Sequence, residues 1–292
     1  MPILAAQPPS MGATEHNSYG NVLIAGTCLF GVVAFLGLGL FLFLSTINYE
    51  PVAGDDPRVA KRKERRVQQR LMVMFGTAAN GILAAGYLFV LFKIGTLTRS
   101  DSYVINWSYF AFAAGAWFML GLLHSVFFRL EGYARRVALA VLFALPPLLL
   151  ALGPLSPSES KRDVCYGFAV ALQFVSVAYI AWFEGVSGPL KRAYGIIPAG
   201  LVLVAFLLYD VFWFIGFLNE DNSAVVLTSR WNAQIAFLFA DLLAMIGSAA
   251  AAILLYRPLR LGLVAPTVEA GFAAGPDGTA LYADVDGASM KF

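Results

Sequence analysis

A chain of 292 residues that is 59% hydrophobic and 13% charged, with mean hydropathy +0.73, is too apolar for a water-soluble domain and long enough to cross a bilayer several times. The formal net charge is only +2, and no nucleic acid is expected among its partners. No Walker loop, nucleophile elbow, His-Glu-x-x-His pair or kinase motif occurs, so the chain is not expected to be an enzyme.

In chain order, residues 1–20 are polar, with Pro8, Pro9, Glu15 and His16 but no lysine or arginine. The basic start of a secretory signal is missing, and the first span is expected to be retained behind an extracellular or lumenal segment. Seven apolar stretches of spanning length follow: about Asn21 to Ile47, Leu71 to Phe92, Tyr103 to Phe128, Val137 to Leu155, Val164 to Phe183, Ile196 to Leu218 and Trp231 to Tyr256. They predict an all-α membrane protein, a seven-transmembrane bundle over 21–257. Pro146 and Pro147 interrupt the fourth stretch, where a kink is expected rather than a break. No strand-like alternation competes with the helices. Residues 258–292 read as a mobile cytosolic tail with Glu269, Asp277, Asp284 and Asp286.

Fifteen of the 20 lysines and arginines fall in the first, third and fifth connections and the tail, which predicts the N-terminus outside and the C-terminus in the cytosol. The basic run Arg58 to Arg70 in the first loop reads as a topogenic cluster, with anionic headgroups or a cytosolic partner as the alternative. Cys28 and Cys165 lie in apolar runs and read as small packing residues. Gly37, Gly39, Gly115, Gly121 and Ala249 to Ala252 permit close helix contacts within the bundle, with a partner protein or in a homo-oligomer.

The last span carries the chemistry. A carboxylate in mid-bilayer costs roughly 2.5 to 3.5 kcal/mol unless it faces protein, water or a partner. Asp241 therefore needs a receiver inside the bundle. At helical spacing Gln234, Asp241, Met245 and Ser248 share one stripe, while Leu242, Leu243, Ile246 and Ile253 lie off it. Asp210 is the other carboxylate inside a span. It is either a second ion-path group paired with Asp241 or a helix-to-helix hydrogen bond. Asn80, Asn106, Gln173, Asn232 and Gln234 read as interhelical glue. His124 reads as packed or interfacial, since no second ligand stands at helical spacing, and no metal site is expected. Glu184 marks the end of the fifth span.

The series Phe206-x-x-Tyr209-x-x-x-Trp213-x-x-Gly216, followed by Asp241-x-x-Ala244-Met245-x-Gly247, resembles the sixth and seventh helices of the microbial (type 1) rhodopsins. The resemblance implies that Tyr209 hydrogen-bonds Asp241. It also implies a lysine at position 245 to carry retinal as an imine, where this chain has a thioether that cannot form that bond. The family's Arg-x-x-Asp-Trp in the third helix appears here as Tyr103-Val-Ile-Asn106-Trp107, and Trp117 stands where the pumps carry a carboxyl donor. With arginine, acceptor, donor and lysine all absent, the resemblance implies an opsin-like protein with no covalent retinal and no Schiff-base photochemistry. Asp241 then lacks a cation and is expected to be often neutral.

Three functions stay open, in this order: an accessory or interaction subunit of a membrane assembly; proton or ion translocation through Asp210 and Asp241; and non-covalent binding of a retinoid, carotenoid or lipid in a pocket lined by Trp107, Phe206, Tyr209 and Trp213. The alternative to that pocket is a core filled by the aromatics themselves.

Overall fold

The computed structural model describes residues 13–46, 57–98, 104–155, 158–182, 196–213 and 230–256, with backbone alone at several element ends. The expectations for the N-terminal segment before residue 13, for Glu184 and Gly216, for the 258–292 tail and for the side chains of Trp213, Asn232 and Gln234 fall outside this. The elements are α1 (Ala13–Thr46), α2 (Pro57–Leu91), β1 (Thr96–Thr98), β2 (Val104–Asn106), α3 (Trp107–Phe127), α4 (Tyr133–Leu155), α5 (Glu159–Trp182), α6 (Ile196–Trp213), α7 (Arg230–Asp241), a π-helical segment (Leu242–Ser248) and α8 (Ala249–Leu255). The last three form one continuous rod, so the architecture is a bundle of seven helical rods. Consecutive rods pack side by side, and α7 returns to α1.

Six rods contain a window long and apolar enough to cross a membrane, and Ile196–Val211 on α6 is a shorter apolar helix. The protein is an integral, multi-pass membrane protein. Its outer surface carries Val32, Phe35, Leu36, Phe168, Phe174 and Leu254 exposed, as a lipid-facing surface requires.

Two element boundaries differ from expectation. The second rod starts at Pro57, so the basic run Arg58 to Arg70 is helix, not loop. Its Ala, Lys, Arg, Glu and Gln residues are strong helix formers, and proline suits a first turn. Gln68 Nε2 donates to Glu64 Oε1 one turn back at 3.2 Å. Arg70 Nε donates to the Leu44 carbonyl at 2.8 Å, satisfying an end carbonyl of α1 that lacks a partner within its own helix. The third rod, in turn, starts at Trp107 rather than Tyr103. Val104–Asn106 pairs antiparallel with Thr96–Thr98, with Thr96 opposite Asn106, so a short ribbon occurs where no strand was expected. β-branched Thr96, Thr98, Val104 and Ile105 favour that pairing over a helical turn.

The α4 helix continues unbroken through Pro146 and Pro147. Proline 146 has no N–H for the Leu142 carbonyl one turn earlier. Ser176 on α5 supplies the donor: its hydroxyl lies 3.2 Å from the Leu142 carbonyl and 2.7 Å from that of Leu172. Close helix approach depends on glycine at several places, Gly121 and Gly26 among them. A Cβ at Gly121 would sit 2.6 Å from the Ala140 Cα on α4, and one at Gly26 would sit 2.6 Å from the Tyr87 ring.

Replacing Ser176 by Ala should cost about 0.5–1.5 kcal/mol of stability, because the Leu142 carbonyl loses the hydroxyl that approaches it across the α4–α5 seam. In the double variant P146A/S176A the restored N–H should remove most of that cost. Thermal unfolding of the four proteins in one detergent gives the coupling, and strict additivity would disprove the proline-rescue role.

Candidate functional site

Asp241 is the last residue of α7 and is completely buried. Three tyrosines from three different rods converge on its carboxylate. Tyr87 on α2 donates to Oδ2 at 2.8 Å, Tyr109 on α3 donates to Oδ2 at 2.7 Å, and Tyr209 on α6 donates to Oδ1. The Tyr109 and Tyr209 hydroxyls also lie 2.9 Å apart. All three phenols are buried to within 2% of complete. No lysine or arginine among the described residues contributes to this cluster, where hydroxyl dipoles stabilise the acid.

The contact expected between Asp241 and Tyr209 is present. Tyr87 and Tyr109 were not singled out by sequence reasoning. Their signal was faint but real: a tyrosine in mid-span needs a partner for its hydroxyl, and a buried carboxyl needs donors. The sequence places Asn106 in this core. The structure puts it at the junction of β2 and α3, and α3 reaches Asp241 from Tyr109, three residues further in. Trp107 packs half-buried against the core from the first turn of α3.

Beyond the cluster, the π-helical segment widens the rod by one residue per turn and displaces carbonyls from their usual donors. Ser248 donates to the Ala244 carbonyl, and Asn80 Nδ2 on α2 donates to the Met245 carbonyl at 3.3 Å and to Gly76 at 2.8 Å. Met245 is fully buried in that segment, on the same side as Asp241 and Ser248, while Leu242, Leu243, Ile246 and Ile253 are half-exposed.

Asp210 does not join the cluster. It is buried at the α5–α6 seam with Gln173 of α5 as its hydrogen-bonding neighbour. Asp210 Oδ1 is buried without a hydrogen-bond partner among the described residues. His124 is fully buried among Phe127, Phe128 and Phe143, with neither ring nitrogen hydrogen-bonded among the described residues. Trp117 stacks face to face on Phe206, ring centroids 4.4 Å apart at 13°, and meets Tyr209 edge-on. Phe143 packs against both stacked rings. Aromatic side chains thus fill the centre beside the acid.

The described residues offer no imine-forming amine in the interior. The lysines whose side chains are described, Lys63, Lys93 and Lys161, are all exposed. No group of three or more potential metal ligands occurs among the described residues. Cys28 is exposed and Cys165 half-buried, and both are free thiols.

The bundle has the fold of the microbial rhodopsins. It superposes on a thermophilic rhodopsin from Rubrobacter xylanophilus with a TM-score of 0.63 at 18% identity, covering 82% of this chain and 97% of that one. Against halorhodopsin, a light-driven chloride pump, the TM-score is 0.65 at 13% identity, covering 86% and 98%. Against a light-driven proton pump from Leptosphaeria maculans it is 0.59 at 14% identity, covering 85% and 98%. No protein-family model and no curated protein matches the chain. Identities this low establish the architecture only.

Each tyrosine-to-phenylalanine change should destabilise the bundle by about 1–3 kcal/mol, because it strips a donor from a buried acid. Tyr109→Phe should cost more than Tyr87→Phe, since the Tyr109 hydroxyl lies within hydrogen-bond distance of both Asp241 and Tyr209. Thermal unfolding in detergent checks the ranking, and equal effects would mean that the Tyr109–Tyr209 contact contributes nothing.

Proposed function

We propose that this chain is an opsin-fold membrane protein without Schiff-base photochemistry that works as an interaction subunit of a membrane assembly. The carrying observation is the Asp241 cluster: a buried acid held by Tyr87, Tyr109 and Tyr209 with no cation, one turn before a methionine. In a site that forms a retinal imine, a positive charge would face this acid, whereas here its hydrogen-bond partners among the described residues are hydroxyls.

The residues present do not fit a covalently bound retinal. Met245 offers sulfur in place of a primary amine, and the Trp117–Phe206 stack leaves no gap for a polyene between those rings. The same stack supports a filled core over a pocket for a free apolar ligand. Translocation through Asp210 and Asp241 is the weaker reading, because Asp210 turns to Gln173 while Asp241 turns to three phenols. A rigid bundle that spends its buried acid on tying rods together suits a protein acting through its surfaces.

The test is one preparation read in two ways. The purified protein is incubated with all-trans-retinal, its absorption spectrum recorded, borohydride added, and the intact mass measured beside the mass of the native particle. The expected result is no visible band, an unmodified chain mass, and a native particle larger than one chain. A borohydride-stable retinyl adduct, or a strictly monomeric particle that carries light-driven ion flux in vesicles, would refute the proposal.

A further inference from the structure

Asp210 and Gln173 are both more than nine-tenths buried where α5 meets α6, at 8% and 4% exposure. Gln173 shares its face of α5 with Ala169, Ser176 and Ile180, which are buried with it, and Asp210 stands one turn along α6 from buried Phe206. The Gln173 amide hydrogen-bonds the Asp210 carboxyl. Two atoms of the pair are left over: Asp210 Oδ1 and Gln173 Oε1 are buried with no hydrogen-bond partner among the described residues. The bond therefore runs from the amide Nε2 to Oδ2, and one unmet acceptor remains on each side of the seam.

Two unmet acceptors on two directly bonded side chains amount to one missing hydrogen. A carboxyl O–H supplies it. With a proton on Oδ1, the acid donates to Gln173 Oε1 while Nε2 donates to Oδ2, and a ring of two hydrogen bonds satisfies both side chains. Ionised, the same pair keeps one hydrogen bond and buries a charge that no cation offsets.

The surroundings offer no substitute for that proton. Burial and the Gln173 hydrogen bond are the influences on the Asp210 carboxyl, with no neighbouring charge among them. Tyr166, two turns before Gln173 on α5, lies within electrostatic range of Asp210, and a phenol keeps its proton throughout the range in which carboxyls titrate. The charged residues Glu159, Lys161, Arg162 and Asp163 occupy the first turns of α5, and the ionisable residues of α4, Tyr133, Arg135 and Arg136, occupy its first turn. Tyr209, the preceding residue on α6, gives its hydroxyl to Asp241 of α7. The contrast with Asp241 decides where a charge can reside: that acid has three phenolic donors, whereas Asp210 has one amide. A carboxylate inside a membrane without a cation needs every donor it can find, so the donor-poor site is the one that keeps its proton.

We propose that Asp210 and Gln173 form a proton-binding site that clasps α5 to α6, with Asp210 held as the neutral acid and the two side chains joined as a cyclic acid–amide pair. Loss of the proton sets carboxylate oxygen against amide oxygen, acceptor against acceptor, and loosens the seam.

The test is infrared spectroscopy of the full chain in nanodiscs of neutral phosphatidylcholine, beside unfolding in detergent over a range of pH. Wild type minus D210N should show the C=O stretch of a protonated carboxyl at neutral pH. The Q173L variant keeps the acid and removes the amide, so it should move that band to higher wavenumber, and it answers the question even where D210N does not fold. In D210N a side-chain NH2 replaces the O–H, which preserves the ring without a titrating proton. The native chain holds a proton there that the unfolded chain releases above about pH 4, so wild type should lose stability relative to D210N as pH rises, by up to about tenfold in the unfolding constant per pH unit, until the site itself ionises. Asp241 is common to both proteins and cancels from the ratio. Absence of the carboxyl band with a ratio flat in pH would mean an ionised acid bridged to Gln173 by water, and a ratio set by sodium concentration would mean a bound metal cation. Either result overturns the proposal.

Discussion

One buried carboxylate sets the terms for the rest of this bundle. In a medium without water, Asp241 must find its hydrogen-bond partners inside the protein, and an unsatisfied group there costs several kcal/mol. It finds them on α2, α3 and α6, one phenol from each. A hydrogen bond tolerates only a few tenths of an ångström of slippage. The axial position of three rods relative to the last one is therefore fixed at a single atom group. The aromatic bodies of the same tyrosines extend the constraint sideways. Tyr87 meets Phe30 and Tyr109, and Tyr209 meets Trp117 and Phe237, so the polar centre is sheathed in edge-to-face and stacked rings.

The backbone obeys the same rule by local means. Three departures from a regular α-helix come with a side chain that donates to a freed carbonyl. Ser176 answers Pro146 across the α4–α5 seam, Asn80 and Ser248 answer the π-helical segment, and Arg70 answers the end of α1. These are small contacts individually. Together they explain how a chain with paired prolines in mid-span and a widened turn beside its only fully buried acid among the described residues remains a continuous bundle.

The architecture is shared with light-driven pumps, but architecture does not carry their chemistry. In this chain the acid faces phenols, the neighbouring position has sulfur, and Trp117 and Phe206 occupy the centre with stacked rings. Asp210 lies outside that cluster, beside Gln173 of α5. The outside of the bundle carries the apolar walls that a lipid-facing surface requires.

Composition and hydrophobic runs were enough to determine the membrane class, the seven rods and their order, since each rod must be apolar for its whole passage and that pattern is local. Asp241 was legible as the centre for the same reason, because a charge in such a run is conspicuous, and Tyr209 came with it through the resemblance of the sixth and seventh rods to those of the microbial rhodopsins. Tyr87 and Tyr109 were not legible. Tyrosine is at home both in a packed core and at a polar centre, and only the side-by-side placement of α2, α3 and α6 decides which. The placement of Asp210 beside Gln173 and the junction role of Asn106 were likewise decided by tertiary contact, whereas the helical state of the basic run after Pro57 follows from its own strong helix formers. Sequence spacing says which residues share a face of one helix, whereas which neighbour that face meets depends on the rotation and height of every other rod.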